Sequence, residues 1–302
     1  MVSVTNRYCL CLLLLVGLAV PARAQREVLY SQYLVNNLSI NPAYAGSRET
    51  FYLSAFLRRK WIGIRNAPLT QTVSMDGAVA RGRVGLGFQA FNDRMGLFAA
   101  NGVLGSVAYR INLPALAHLS IGMQGGVNVL PIYDVGSAAS INRAVGSLGF
   151  GVYYRSERFY GGVSMPEVLS RKPSIAGQTL YPAVRPLMVQ VGGQFPLSET
   201  TVLLPSVLVS KIADRPLGVD LNARVWFAEQ VGLGLSYRQN SPGLIQTNYV
   251  QATVEYQLTK AIRLAYLYYS RTPESPLSTL YNENSVHELM FRFSPGELRF
   301  AY

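Results

Sequence analysis

Residues 216–258 read PLGVDLNARVWFAEQVGLGLSYRQNSPGLIQTNYVQATVEYQL, and their hydrophobic pattern decides the fold. Apolar and polar side chains alternate in three consecutive runs, which begin near Leu217, Val231 and Val250. A period of two places the apolar side chains on one face of an extended strand. Each run has about the 9 to 11 residues that a tilted strand needs to cross a bilayer. The stretch therefore predicts three consecutive transmembrane β-strands.

The same reasoning predicts 14 strands in the whole chain. They lie at approximately 50–59, 69–79, 83–91, 99–111, 116–129, 146–155, 158–165, 186–196, 201–210, 216–227, 230–239, 247–258, 261–271 and 285–293. The connections after even-numbered strands are short, whereas most of those after odd-numbered strands are longer, including 60–68, 130–145, 166–185 and 272–284. Outer-membrane barrels show this alternation, with periplasmic turns and extracellular loops.

We therefore predict an all-β, transmembrane, antiparallel up-and-down β-barrel of about 14 strands over residues 50–294. The outer surface of this barrel is then expected to contact outer-membrane lipid. An even number of strands predicts that both termini face the periplasm and that the long loops are extracellular.

The regions outside the barrel are predicted from composition. Arg7, an apolar run over 10–20 and a small-residue site that ends at Ala24 are typical of a signal peptide over residues 1–24. Cys9 and Cys11 lie within it, so the mature chain is expected to lack cysteine. Residues 25–49 are rich in Asn, Pro, Gly and Ser, which predicts an irregular pre-barrel segment that either plugs the lumen or faces the periplasm. Residues 295–302 form a C-terminal tail.

The overall composition favours a barrel over a soluble sandwich, because only 14% of residues are charged while 49% are hydrophobic, with 27 Gly and 19 Tyr. The formal net charge of +11 comes mostly from arginine. No basic helix or recognised binding module accompanies it, so we expect no nucleic-acid partner. The arginines are expected to pair with interior acids or with lipid phosphates.

The alternation also predicts which side chains face the lumen. Glycines such as Gly85 and Gly234 are interpreted as small inward residues that ease curvature. Salt-bridged charged residues are expected to fill the interior: Arg155, Asp220, Arg224, Arg238, Glu255, Arg263, Glu288 and Arg292. An aromatic girdle is expected at the strand ends: Tyr109, Tyr154, Tyr237, Tyr256, Tyr268 and Trp226.

The sequence offers little for catalysis. Its two histidines, His118 and His287, are predicted near opposite ends of the barrel, and no cluster has the spacing of a metal site. We expect no enzymatic activity, catalytic residue, cofactor or metal. The loop 166–185 is interpreted either as a variable cap or as a binding surface.

Several motifs resemble the PorP/SprF family of outer-membrane proteins associated with the Bacteroidetes type IX secretion system. The resemblance covers nearly the whole mature chain, and residues 58–63, 67–71 and 84–87 also match. Its most specific positions are Gln32, Tyr33, Asn41, Pro42, Ala43, Tyr44, Gly46, Trp61, Gly63, Asn92, Asp93, His287 and Glu288. At these positions we expect structural roles more often than direct contact with a partner.

The resemblance implies a non-enzymatic role in type IX secretion. A member either retains at the cell surface secreted proteins that carry a type B C-terminal sorting domain, including gliding adhesins, or contacts periplasmic and peptidoglycan-associated components. The residues do not separate these roles. The alternative is a passive porin or small-solute channel, which the arginine-rich lumen would make anion-selective.

Overall fold

The computed structural model describes residues 30–34, 36–96, 98–134, 139–169, 174–175, 178–179, 185–213, 216–239, 248–270 and 285–296. None of the described helices is long and apolar enough to cross a membrane.

The chain forms a closed antiparallel barrel, because every wall strand pairs with a neighbour on each side. The first and last strands complete the ring, with Leu53 opposite Phe293 at one end of their ladder and Lys60 opposite Val286 at the other. The strands are β1 (Tyr52–Lys60), β2 (Leu69–Val79), β3 (Val84–Met95), β4 (Phe98–Leu113), β5 (Ala117–Asp134), β6 (Ala139–Arg155), β7 (Phe159–Met165), β8 (Ser174–Ile175), β9 (Gln178–Thr179), β10 (Leu187–Gly193), β11 (Phe195–Pro196), β12 (Thr201–Lys211), β13 (Gly218–Phe227), β14 (Val231–Gln239), β15 (Tyr249–Thr259), β16 (Ile262–Ser270) and β17 (Ser285–Phe293).

The wall contains 14 strand positions. β8 and β9 pair only with each other, and β11 continues β10 beyond Gln194 against the same neighbour, β12. The predicted fold class and strand number are therefore confirmed. Closure leaves no open sheet edge within the bilayer, where an unpaired backbone amide is costly.

The burial pattern explains why these residues form this wall. In β14 and β15 the apolar residues face outward, and Leu235 is 62% exposed. The alternate positions face inward and carry polar or small side chains, such as the buried Gln251 and Glu255. An apolar exterior around a polar interior is the arrangement that a barrel in lipid requires.

The prediction of a long connection over residues 130–145 is wrong, because most of this range is strand. β5 continues to Asp134 and β6 resumes at Ala139, with the two strands paired throughout. Similarly, Asn92 and Asp93 lie within β3. Alternation disappears where a ladder extends beyond the lipid, because no apolar face is needed there, although backbone pairing continues.

The wall is uneven in height. The β5–β6 ladder runs from His118–Arg155 to Asp134–Ala139, whereas β7 pairs with β6 only over Phe150–Arg155. Strands β7 and β10 have seven residues each. The end of the barrel that carries the longer connections, termed the loop end, is therefore tall at the β5–β6 hairpin and low at β7–β10. The opposite end is termed the turn end.

The girdle prediction for Trp226 is wrong. Its side chain is fully buried and faces the lumen, where it packs beside Gly232. Tyr237 and the other four predicted girdle tyrosines are exposed on the outer surface. Trp226 occupies an inward position of β13, and the missing side chain of Gly232 leaves the space that the indole fills.

Candidate functional site in the barrel lumen

The segment that precedes β1 lies within the ring. Its described part contains three short 3₁₀ helices, Tyr30–Leu34, Asn37–Ser39 and Pro42–Tyr44. The second and third begin in the same way, since the side chains of Asn36 and Asn41 accept hydrogen bonds from the backbone amides two residues later, at 3.1 and 3.0 Å. Asparagine is a favoured N-cap for this reason, and Pro42 suits the first helical position.

The segment runs along the barrel axis from the loop-end half to the turn end. Tyr33 donates a hydrogen bond to Asp220, two residues from the loop end of β13, at 3.2 Å. Farther along the segment, the backbone amide of Gly46 donates to Asp76, near the turn end of β2, at 3.1 Å. The segment therefore traverses much of the lumen lengthwise.

Hydrogen bonds join the segment to six strands of the ring. They reach β2, β4, β6, β7, β10 and β13, so the segment is fixed to the wall on the side that runs from β2 through β6 to β13. The bonds, given donor first, are Gln32 Nε2 to Thr72 Oγ1 at 2.7 Å, Gln190 Nε2 to Asn37 Oδ1 at 3.1 Å, Asn41 Nδ2 to Val152 O at 3.0 Å, Ser164 Oγ to Ile40 O at 2.7 Å, Arg110 Nη1 to Gly46 O at 3.1 Å, Arg155 Nη1 to Ser47 O at 2.7 Å and Asn222 Nδ2 to Tyr33 Oη at 2.8 Å.

Glycines in the wall admit the backbone of the segment. A Cβ atom at Gly85 would lie 1.9 Å from the carbonyl oxygen of Ala45, and one at Gly122 would lie 2.4 Å from the Cα of Ala43. Gly46 has φ +66°, a conformation that favours glycine. Close approach of the segment therefore accounts for Gly85, which the sequence interpretation had assigned to curvature.

Burial makes ionisation of the Tyr33 and Tyr44 hydroxyls still less favourable than it is in water. Desolvation raises the pKa of Tyr33 well above its usual value, and Asp220 raises it further while Arg238 lowers it. The pKa of Tyr44 is also raised by burial, against the opposing effect of Arg48. Neutral hydroxyls at these positions can both donate and accept hydrogen bonds.

The predicted charged residues line the lumen around this segment. Asp220, Arg224, Arg238, Glu255, Arg263, Glu288 and Arg292 are buried, and Arg155 is partly buried at the turn end. Two ion pairs join neighbouring strands, Arg238–Asp220 at 2.7 Å and Arg58–Glu288 at 3.1 Å, and a third, Arg224–Glu255 at 3.0 Å, joins β13 to β15 across β14. The guanidinium of Arg263 lies 4.2 Å from the centre of the Trp226 ring.

Aromatic rings extend the charged network near the loop end. Tyr249 and Tyr269 stack with centroids 4.3 Å apart, Arg238 donates to the hydroxyl of Tyr249, and Arg58 donates to that of Tyr269. The stacked pair therefore connects the Arg238–Asp220 and Arg58–Glu288 ion pairs along the inner wall, from β13 to β1.

Three buried charged residues and the partly buried Arg48 were missed from the predicted lumen set. Arg58, Asp76 and Arg110 occupy inward positions of β1, β2 and β4. The alternation of inward and outward side chains along these strands could therefore have identified them. Arg48 precedes β1 and lies over the rings of Tyr44 and Tyr52. No periodic signal precedes the first strand, so Arg48 could not be placed from sequence.

Several motif positions have structural contacts. Trp61 and Gly63 have positive φ in the connection after β1, and the backbone amide of Trp61 donates to Ser285 O at 3.1 Å. Asn92 donates to Asn101 at 2.6 Å. Asp93 accepts from Thr70 at 2.7 Å.

The histidines lie at different ends of the barrel. His118 is at the turn end, 3.1 Å from Asn112 and 3.8 Å from Glu49. His287 is near the loop end, where its Nδ1 lies 2.6 Å from the hydroxyl of Tyr266. They share no site, and the described residues contain no group of three or more His, Cys, Asp or Glu that could hold a metal ion.

A closed 14-strand wall with an apolar exterior and a polar lumen defines an outer-membrane β-barrel protein. The chain belongs to the family described as type IX secretion system membrane protein PorP/SprF, whose profile matches residues 22–293. This finding confirms the predicted resemblance. Among curated proteins, nothing matches the sequence.

Solved structures show similarity in fold. The CymD monoaromatic hydrocarbon channel aligns with a TM-score of 0.51 and 11% identity, over 90% of this chain and 94% of that one. The Acinetobacter baumannii outer membrane protein Omp33 aligns with a TM-score of 0.49 and 8% identity, over 82% and 98% of the two chains. At such low identity these similarities concern the architecture alone.

Proposed function

We propose that this protein is a plugged outer-membrane barrel that supports type IX secretion by holding secreted proteins with a type B C-terminal sorting domain at the cell surface. Family membership supports the secretion role. The observation that carries the anchoring role is the segment over residues 32–47, which lies in the lumen and is hydrogen-bonded to six strands of the wall. A lumen occupied in this way suits an anchor better than a solute path.

The loop end is the proposed cargo-binding side, and we place it outside the cell. Strand pairing extends farther there in β5–β6 than in β7 and β10. In this proposal the projecting β5–β6 ladder is the surface on which a folded sorting domain docks. The described residues 30–34 and 36–49 of the pre-barrel segment form the lumen plug in this proposal, whereas most of the predicted tail over 295–302 lies outside the described residues. The turn end is placed at the periplasmic side, where it would face periplasmic or peptidoglycan-associated components of the secretion system.

The decisive experiment compares cargo retention in three strains. One strain lacks the gene, one carries the barrel with residues 132–141 replaced by an Asn-Gly turn, and a control carries a shortened connection over 240–248. We expect the cargo to appear in the medium in the first two strains and to remain on cells in the control. Surface retention of the cargo in the gene-deleted strain would contradict the proposal.

Planar-bilayer recordings test the channel alternative. We expect the purified barrel to show no large stable conductance, because the segment occupies the lumen and is hydrogen-bonded to six strands of the wall. A large, stable, anion-selective open state would instead favour a porin.

A further inference from the structure

We propose that the turn-end half of the lumen holds a small oxyanion, a phosphate or a carboxylate, on the side chain of Arg292. This residue lies on β17, next to its last residue, and is 1% exposed. Its Nε and Nη2 atoms have no hydrogen-bond partner among the described residues. An arginine buried to this extent without such partners calls for a compensating group, because a buried charge is costly unless it is paired.

The two unpartnered atoms form one recognition edge. In a planar guanidinium, the N–H groups of Nε and Nη2 point in the same direction and form a fork. Such a fork matches two oxygens of one carboxylate or phosphate, which accept two parallel hydrogen bonds. A single oxyanion would therefore satisfy both groups, whereas one water molecule would supply no charge.

The surrounding charges also favour an anion. Arg292 is directly opposite Arg263 on β16, and both side chains are buried. Like charges directly opposite in a sheet destabilise it. Arg263 is held in place, with its guanidinium over Trp226 and its Nε donating to Gln257 at 2.7 Å. Arg48 of the N-terminal segment also repels Arg292.

The nearby carboxylates already have other contacts. Glu255 is ion-paired through Oε1 to Arg224 at 3.0 Å, although its buried Oε2 has no hydrogen-bond partner among the described residues, and Asp76 accepts from the Gly46 amide at 3.1 Å. Hydroxyl groups provide further donors, since Ser54 is opposite Arg292 on β1 and the buried Ser294 Oγ has no hydrogen-bond partner among the described residues. An arginine fork with adjacent hydroxyl donors fits a small oxyanion.

The test uses the full-length mature barrel purified from outer membranes in detergent. Protein is denatured after extensive washing, and ion chromatography measures released phosphate and carboxylates. In parallel, the melting temperature is measured with increasing inorganic phosphate at constant ionic strength, with chloride as the balancing anion. We expect either stoichiometric release of an oxyanion or a saturable rise in melting temperature, since a ligand stabilises the state that binds it.

Arg292→Gln should abolish the release and the phosphate response, whereas Arg155→Gln, which changes another lumen arginine, should keep them. Arg292→Lys retains the positive charge but lacks the fork of N–H groups. It replaces Arg292→Gln in the test if that variant does not assemble. We expect Arg292→Lys to lose most of the rise in melting temperature with phosphate. Absence of both release and phosphate response in the unaltered protein would overturn the proposal. An equal response in the Arg292 variants would also overturn it.

Discussion

Gly85 lies against the carbonyl oxygen of Ala45 so closely that a Cβ atom at Gly85 would be 1.9 Å from it. This relationship joins a wall residue of β3 to the N-terminal segment, 40 positions earlier in the chain. The close packing of the segment against the wall can therefore be tested by adding one atom, the Cβ of an alanine at position 85.

Gly85→Ala should lower the melting temperature of the barrel. The added methyl group meets backbone, which cannot rotate away, and overpacking of this kind costs about 1–3 kcal/mol or more. The matched control is Gly105→Ala, because Gly105 is exposed on the wall and a Cβ there has no neighbour closer than 4.0 Å. Heat-modifiable migration in SDS gels measures both variants, and equal melting of the two would contradict the close fit.

Tyr33→Phe should destabilise the barrel without preventing its assembly. The change removes the hydrogen bonds with Asp220 and Asn222 at 3.2 and 2.8 Å. Loss of buried hydrogen bonds of this type costs about 1–3 kcal/mol. Urea unfolding in lipid vesicles measures the free energy, with Tyr237→Phe on the outer surface as the control. If Tyr237→Phe lowered the free energy of unfolding as much as Tyr33→Phe, the effect would not be specific to the lumen.

Glu288→Gln should be strongly destabilising, because Glu288 is fully buried 3.1 Å from Arg58. Removing one charge of a buried ion pair costs about 3–5 kcal/mol, since the remaining charge stays desolvated. The exposed Glu199→Gln is the control. Replacing both partners, as Arg58→Met with Glu288→Leu, should restore much of the stability, and a double variant weaker than Glu288→Gln would argue against charge imbalance as the cause.

Lipid quenching tests the inward orientation of Trp226. The chain has two tryptophans, so Trp61→Phe leaves Trp226 as the only one. Because its ring faces the lumen, brominated lipids should quench its fluorescence weakly. A tryptophan placed on the outer surface by Tyr237→Trp, with Trp61 and Trp226 both changed to Phe, should be quenched strongly. Strong quenching of Trp226 fluorescence would contradict the inward orientation and would indicate that the side chain belongs to the lipid-facing aromatic girdle.

Much of the wall was predictable because lipid imposes a pattern of period two on every strand that crosses it. Leu235 and Gln251 face the sides that the alternation assigns to them. The outer part of the β5–β6 ladder was not predicted. Backbone pairing there needs no apolar face, so the sequence carries no alternation of apolar and polar residues to indicate it. Strand periodicity therefore identifies the membrane-crossing part of each strand rather than its full length.

The interior was less predictable, because its contacts join residues far apart in sequence. The pattern places Gly85 and Gly232 on the inward face, yet it does not say that Ala45 approaches the first or that Trp226 fills the space beside the second. The alternation likewise identifies Arg292 as inward without showing that its Nε and Nη2 atoms have no hydrogen-bond partner in the described part of the chain.

The N-terminal segment is joined to the wall in two ways, by hydrogen bonds and by the chain itself. It precedes β1 in the chain and is surrounded by a ring whose final ladder joins β1 to β17. Its turn end is covalently continuous with β1, so a variant with weakened lumen bonds keeps its plug tethered to the barrel even when the segment leaves the lumen.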